Sequence, residues 1–244
     1  MIESLATNVY IFYTVAFLSY IASTALGIGS GILIPLAALF YGPKESIGIM
    51  TLYFCVQNIN KIILFKKYIH WKIVKKVVIW AIPGAIGGSL LLTYIPEDFF
   101  KKFLAIAMII YIVNDIIRRK YKKTETEHEK NIPILGLSYG FFSGLLGSGN
   151  IIKGPLFTSL GLIKVTYLGT YSITSFFLNI PKVAVYTFSN IINTSVLIQA
   201  LPFIGISIIG TQIGKNFLKK INNDFFYIAI NISFIVSALL LLAQ

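Results

Sequence analysis

Two glycine-rich stretches hold the residue types best suited to binding a small anion. They are Ala25-Leu26-Gly27-Ile28-Gly29-Ser30-Gly31-Ile32-Leu33-Ile34-Pro35 and Leu145-Leu146-Gly147-Ser148-Gly149-Asn150-Ile151-Ile152-Lys153-Gly154-Pro155. In each, glycines and small polar residues break an apolar run and a short helix is expected to follow. Pro35 or Pro155 lies in or near its first turn, where a missing N–H costs little. Glycine lets the backbone bend sharply or approach a ligand closely. The free N–H groups at the start of the new helix, with the positive end of its dipole, form an anion site. Gly29, Ser30 and Gly31 in the first stretch and Ser148, Gly149 and Asn150 in the second are therefore candidate donors. Lys153 falls in the first turn of the second helix, where a buried cation without an anion is costly, so substrate binding is its expected role.

A second constellation repeats in the two halves of the chain: Asn58, Asn60 and Lys61, then Asn179 and Lys182. By helical rise Asn58 sits about 12 Å from the end of its helix. An amide at that depth can donate to an oxyanion without the desolvation cost of a full charge. A hydrogen bond between helices is the open alternative for either Asn58 or Asn179. Lys61 and Lys182 lie nearer their helix ends and are read as gate or snorkelling cations.

These residues must be positioned by membrane helices. Of 244 residues, 56% are apolar and 12% charged, against roughly 25% charged in soluble domains. The mean hydropathy is +0.80. Apolar stretches separated by short charged clusters mark a polytopic all-α membrane protein and exclude disordered, collagenous and disulfide-rich classes. The net charge of +12 comes mostly from Lys and Arg flanking apolar segments, so it reports orientation and not a nucleic-acid partner. The start Met1-Ile2-Glu3-Ser4 lacks the positive n-region of a cleavable signal peptide, so the first apolar stretch reads as a retained membrane segment.

The segments divide into a first membrane repeat over 1–117, a basic and acidic loop over 118–131, and a second membrane repeat over 132–244. Setting Pro35 against Pro155 aligns Leu26-Gly27-x-Gly29 with Leu146-Gly147-x-Gly149 and Lys44 with Lys164. One residue of slip then matches Asn58-x-Asn60-Lys61 with Asn179-x-Pro181-Lys182. Further on, after a short insertion, Gly84-x-x-x-Gly88 meets Gly210-x-x-x-Gly214, and Glu97-Asp98-Phe99-Phe100 meets Asn223-Asp224-Phe225-Phe226. In each repeat the helix after the break is short: twelve residues reach about 18 Å against a ~30 Å hydrocarbon core. The broken pair is either a re-entrant hairpin or one kinked span. Setting aside Lys61, Lys153 and Lys182, the hairpin reading puts 15 Lys and Arg on one face and three, Lys44, Lys101 and Lys102, on the other, whereas the kinked reading splits them 11 to 7. The positive-inside rule favours the hairpin. A hairpin plus three spanning helices crosses the membrane an odd number of times, so the repeats are inverted, as in secondary transporters. Both termini then lie outside and the 118–131 loop in the cytoplasm.

The Gly-x-Gly-x-Gly and Ile-Leu-Ile-Pro-Leu run over 27–36, its partner over 147–156, Asn179-x-Pro181, and Tyr68-Ile69-His70-Trp71-Lys72 together resemble the TauE/SafE family of anion transporters, also called the sulfite exporter or TSUP family. The resemblance implies a multi-pass plasma-membrane carrier of sulfite, thiosulfate or an organosulfonate. Asn150 and Lys153 depart from the glycine and small apolar residue expected there.

Absences narrow the mechanism. All nine acidic residues fall at or beyond expected helix ends, which disfavours carboxylate-based proton or sodium coupling. There is no Walker A sequence, no HExxH and no paired cysteine, so no cofactor, metal or catalytic residue is expected, and the lipid bilayer and a small anion are the expected partners. A homodimer is compatible with this reading. The expected function is alternating-access transport of a small oxyanion. The alternatives are an anion channel with the same pore or a membrane-embedded sulfur-handling protein built around Cys55.

Overall fold

A computed structural model of the chain describes residues 12–21, 23–24, 33–96, 98–100, 102–103, 106, 110, 113, 131–162 and 164–217. These residues are helical apart from short connections, and no strand occurs among them. The helices are α1 (Phe12–Ile21), α2 (Leu33–Tyr41), α3 (Pro43–Phe65), α4 (Trp71–Tyr94), α5 (Ile132–Leu146), α6 (Asn150–Ser159), α7 (Lys164–Phe188), α8 (Thr194–Ala200) and α9 (Pro202–Phe217). Among the described residues, three helical stretches are long and apolar enough to cross a membrane: Pro43–Tyr68, Trp71–Tyr94 and Thr194–Asn216. The all-helical membrane class expected from composition is thus observed.

Local sequence explains the boundaries. Gly42, at φ 81°, turns the chain out of α2, and Pro43 and Glu45 then open α3, where a lost N–H is cheap and a negative charge faces the dipole. Asn193 caps α8 by accepting from the Val196 N–H at 3.0 Å. After the glycine-rich breaks, the described helices are α2, with nine described residues, and α6, with ten. Each reaches about 15 Å, half of a hydrocarbon core.

Packing depends on small residues. At the crossing of α4 and α5, a Cβ on Gly84 or Gly88 would run into the carbonyl oxygens of Leu137 and Phe141, and one on Gly140 or Gly144 into those of Ala81 and Ala85. The backbones therefore touch along two turns, the close approach that small-xxx-small spacing allows. At a second crossing, a Cβ on Gly210 of α9 would meet Tyr20 of α1 at 2.7 Å and one on Gly214 would meet the Ile21 carbonyl oxygen at 2.6 Å. Around these crossings lie two apolar cores. One joins α1, α2, α3 and α9 through Phe12, Tyr20, Leu33, Tyr53 and Phe203. The other joins α4, α5, α6 and α7 through Val77, Ala81, Tyr139, Phe157 and Leu178. The outer faces carry exposed Ile63, Ile79, Ile134, Ile198 and Ile208, a surface suited to lipid. Tyr68, at the end of the Pro43–Tyr68 stretch, and Trp71 and Tyr94, at the ends of α4, stand exposed where an interfacial aromatic belt belongs.

Candidate functional site

The contact between α3 and α7 brings the two Asn-x-x-Lys sets into one interior region. Lys61 and Lys182 are fully buried, and Lys153, from the first turn of α6, is 7% exposed. The Lys61 ammonium donates to Ser23 Oγ at 2.6 Å and to the Tyr171 hydroxyl at 2.7 Å. The Lys182 ammonium donates to the Gly147 carbonyl at 2.9 Å, to Asn179 Oδ1 at 3.2 Å and to Ser143 Oγ at 3.4 Å. Gly147 can aim its carbonyl this way because it ends α5 in the left-handed region, at φ 72°. Lys153 rests its ammonium over the Tyr171 ring, 4.2 Å from the centroid.

Between these groups lies a cavity of about 30 Å³, counted as room for the centres of water-sized groups. Helix α3 lines it with Phe54, Gln57 and Asn58, and α5 with Tyr139 and Ser143. The second break contributes Gly147, Ser148 and Gly149, α6 contributes Lys153, and α7 contributes Tyr171, Ser175, Asn179 and Lys182. The carbonyl of Gly149 accepts from the N–H groups of Ile152 and Lys153 at 3.1 and 2.9 Å, so α6 begins at the cavity rim.

The hydrogen bonds around this cavity run in one direction. Lysine can only donate. Lys182 therefore takes the oxygen end of the Asn179 amide, and Asn179 Nδ2 is left buried without a hydrogen-bond partner. Lys61 donates to Ser23, Ser23 donates onward to Gln57 Oε1 at 3.4 Å, and Gln57 Nε2 is likewise left without one. Lys182 directly, and Lys61 through one hydroxyl, thus each turn an amide so that its N–H₂ end is unsatisfied. A buried donor without a partner costs about 1–3 kcal/mol, which an acceptor entering the cavity would recover. The acids among the described residues, Glu45 and Asp98, do not line the cavity, and the three ammonium groups lie within electrostatic reach of one another through Lys153. Donors and positive charge without a carboxylate suit an anion. Among the described residues no cluster of His, Cys, Asp and Glu could hold a metal.

Of the residues singled out in the sequence, Asn58, Ser148, Gly149, Lys153, Asn179 and Lys182 line the cavity. Lys61 lies behind Tyr171 and joins the cluster through its hydroxyl. Asn150 begins α6, and Gly29, Ser30 and Gly31 lie outside the described residues. Asn60 is turned away, donating to Ser207 Oγ at 2.6 Å. Gln57, Tyr139, Ser143 and Tyr171 also line the cavity and are not among the candidates from sequence. Their signal was periodic: Tyr171, Ser175, Asn179 and Lys182 recur at helical spacing on one face of α7, and Phe54, Gln57, Asn58 and Lys61 on one face of α3.

A bundle of apolar helices around a cavity that lysines line, and that no carboxylate lines among the described residues, defines a membrane-embedded protein suited to a small anion. The family model for the sulfite exporter TauE/SafE matches residues 12–241, and the chain belongs to that family. It is accordingly a membrane transport protein. No curated protein and no solved structure gives a significant match.

Proposed function

We propose that the protein is a secondary transporter of small sulfur oxyanions, such as sulfite, thiosulfate or an organosulfonate, and that the cavity between α3, α5, α6 and α7 is its substrate site. One observation carries this reading: two buried amide nitrogens without partners, on Gln57 and Asn179, meet the ammonium groups of Lys153 and Lys182 around a cavity that no described acid lines. Lys153 supplies charge to the anion. Asn179, Gln57 and Asn58 donate from the helices, and Ser148, Gly149 and Asn150 from the second break. Gly29, Ser30 and Gly31 are proposed to do the same from the first.

In this reading residues 1–117 and 132–244 form two inverted repeats joined by the 118–131 loop, and alternating access exchanges their roles. Matched features support it. Lys61 bonds Ser23 in one half and Lys182 bonds Ser143 in the other. Gly84 and Gly88 pack on the first helix of the second half, while Gly210 and Gly214 pack on the first helix of the first. The excess of Lys and Arg on one face supports a plasma-membrane orientation with the loop in the cytoplasm. An inside-negative potential would then drive anion export by about 2.3 kcal/mol per charge per 100 mV.

The test is ligand-dependent thermal stabilisation of the purified protein by sulfite, thiosulfate, taurine, sulfate, phosphate and chloride, because selective binding raises the melting temperature by mass action. A shift with a sulfur oxyanion that Lys153→Met abolishes supports the reading. A shift that Lys153→Met leaves unchanged removes this cavity from it.

A further inference from the structure

Tyr171 meets two of the three buried lysines by two different chemistries. Its hydroxyl accepts from Lys61 at 2.7 Å, and its ring carries the Lys153 ammonium 4.2 Å from the centroid. The Lys61 ammonium stands 5.3 Å from the same centroid, outside the closer position that Lys153 occupies. Tyr171 is itself immobilised: it is 2% exposed, its ring tilts against Tyr167 at a centroid distance of 5.1 Å, and its hydroxyl is tied to α3 through Lys61. Lys153 by contrast has a four-carbon stem on a short helix. Among the described residues no carboxylate lines the cavity to hold its charged end.

We infer that the ring of Tyr171 is a positioning element for substrate: it holds the Lys153 ammonium at the cavity wall, ready to meet an anion on its other side. This rests on the cavity being the anion site. A cation over an aromatic face is attracted most strongly where water is excluded. The ammonium is then already placed when the anion arrives, and the ordering cost of the lysine is not charged to binding. The ring stays under the ammonium with anion bound, so ring, cation and anion form one stack. The hydroxyl serves Lys61, which also has Ser23, so affinity for the anion follows the ring and not the O–H.

The experiment measures sulfite and thiosulfate affinity by titration calorimetry on the full chain in detergent. The wild type is compared with Lys153→Met, Tyr171→Phe, Tyr171→Leu, and a series carrying Phe, monofluoro-, difluoro- and trifluoro-Phe at position 171. Fluorination drains the ring's negative face while nearly keeping its size, so a merely structural role leaves affinity flat. The expected result is Tyr171→Phe within about threefold of wild type, Tyr171→Leu weaker by about tenfold or more, and a graded weakening across the fluorinated series that reaches about tenfold. A flat or strengthening fluorinated series with Lys153→Met inactive overturns the ring's role alone, as does Tyr171→Phe binding as weakly as Tyr171→Leu. Wild type binding neither anion, or Lys153→Met binding like wild type, overturns the site and this inference with it.

Discussion

The Lys182 ammonium donates to Oδ1 of Asn179, one turn back on the same helix, at 3.2 Å, and Asn179 Nδ2 is thereby left buried without a hydrogen-bond partner. A residue that can only donate has fixed the direction in which its neighbour donates. Exchanging that nitrogen for oxygen is therefore an informative change. Asn179→Asp is expected to weaken anion affinity by about tenfold or more, since the new carboxylate would pair with Lys182 and repel the ligand, whereas Asn179→Ser is expected to be milder. Calorimetric affinities of the two variants check this, and an Asp variant that binds as tightly as wild type contradicts it.

Lys61 and Ser23 separate stability from binding. Ser23→Ala removes an acceptor from a buried ammonium and is expected to lower thermal stability by the equivalent of about 1–3 kcal/mol. Lys61→Met removes the buried charge itself and is expected to leave stability unchanged or higher. It should still weaken anion binding, because Ser23 no longer receives the bond that directs it toward Gln57. Melting temperatures read beside affinities test the pair. Lys61→Met that is both less stable than Ser23→Ala and unaffected in binding would refute the argument.

The crossing of α4 and α5 tolerates no side chain at its contact. Gly140→Val would drive its Cβ into the Ala81 backbone and is expected to cost about 3 kcal/mol or more. Gly87, on the same helix as Gly84, has nothing within 4 Å of a built Cβ, so Gly87→Ala is expected to be neutral or slightly stabilising. Size-exclusion profiles and melting temperatures of the two variants distinguish a packing crossing from a merely glycine-rich segment.

Cys55 lies beside Asn179 and Lys182, yet its thiol does not meet the amide nitrogen at hydrogen-bonding geometry. The anion chemistry described above needs no thiol. Cys55→Ala is expected to keep transport within about twofold of wild type at unchanged substrate affinity. Loss of activity with the protein still folded would favour a sulfur-handling reaction at that residue.

Much of the candidate cavity's lining is legible in the sequence because charged and amide residues inside apolar runs are costly and therefore conspicuous. Lys153, Asn58, Asn179 and Lys182 stood out for that reason. Tyr171, Tyr139 and Gln57 did not, since an aromatic or an amide in a membrane helix is ordinary until its neighbours are known. For Lys61 and Lys182 the sequence offers only distance from a helix end, a measure blind to the partner helix. The packing of α3 on α7, not either helix alone, decides that both ammonium groups have hydroxyl, carbonyl or amide acceptors inside. The glycines at 84, 88, 210 and 214 were readable as packing positions from spacing alone, whereas the helices they pack against, α5 and α1, were not.

The most direct measurement is sulfite flux into proteoliposomes holding the wild-type protein, the Lys153→Met protein, or no protein, across a range of external sulfite. Saturable uptake by the wild type, competed by thiosulfate and reduced to the protein-free rate by Lys153→Met, is the predicted result. Uptake that rises linearly without saturation, or that Lys153→Met sustains undiminished, would contradict a carrier working through this cavity.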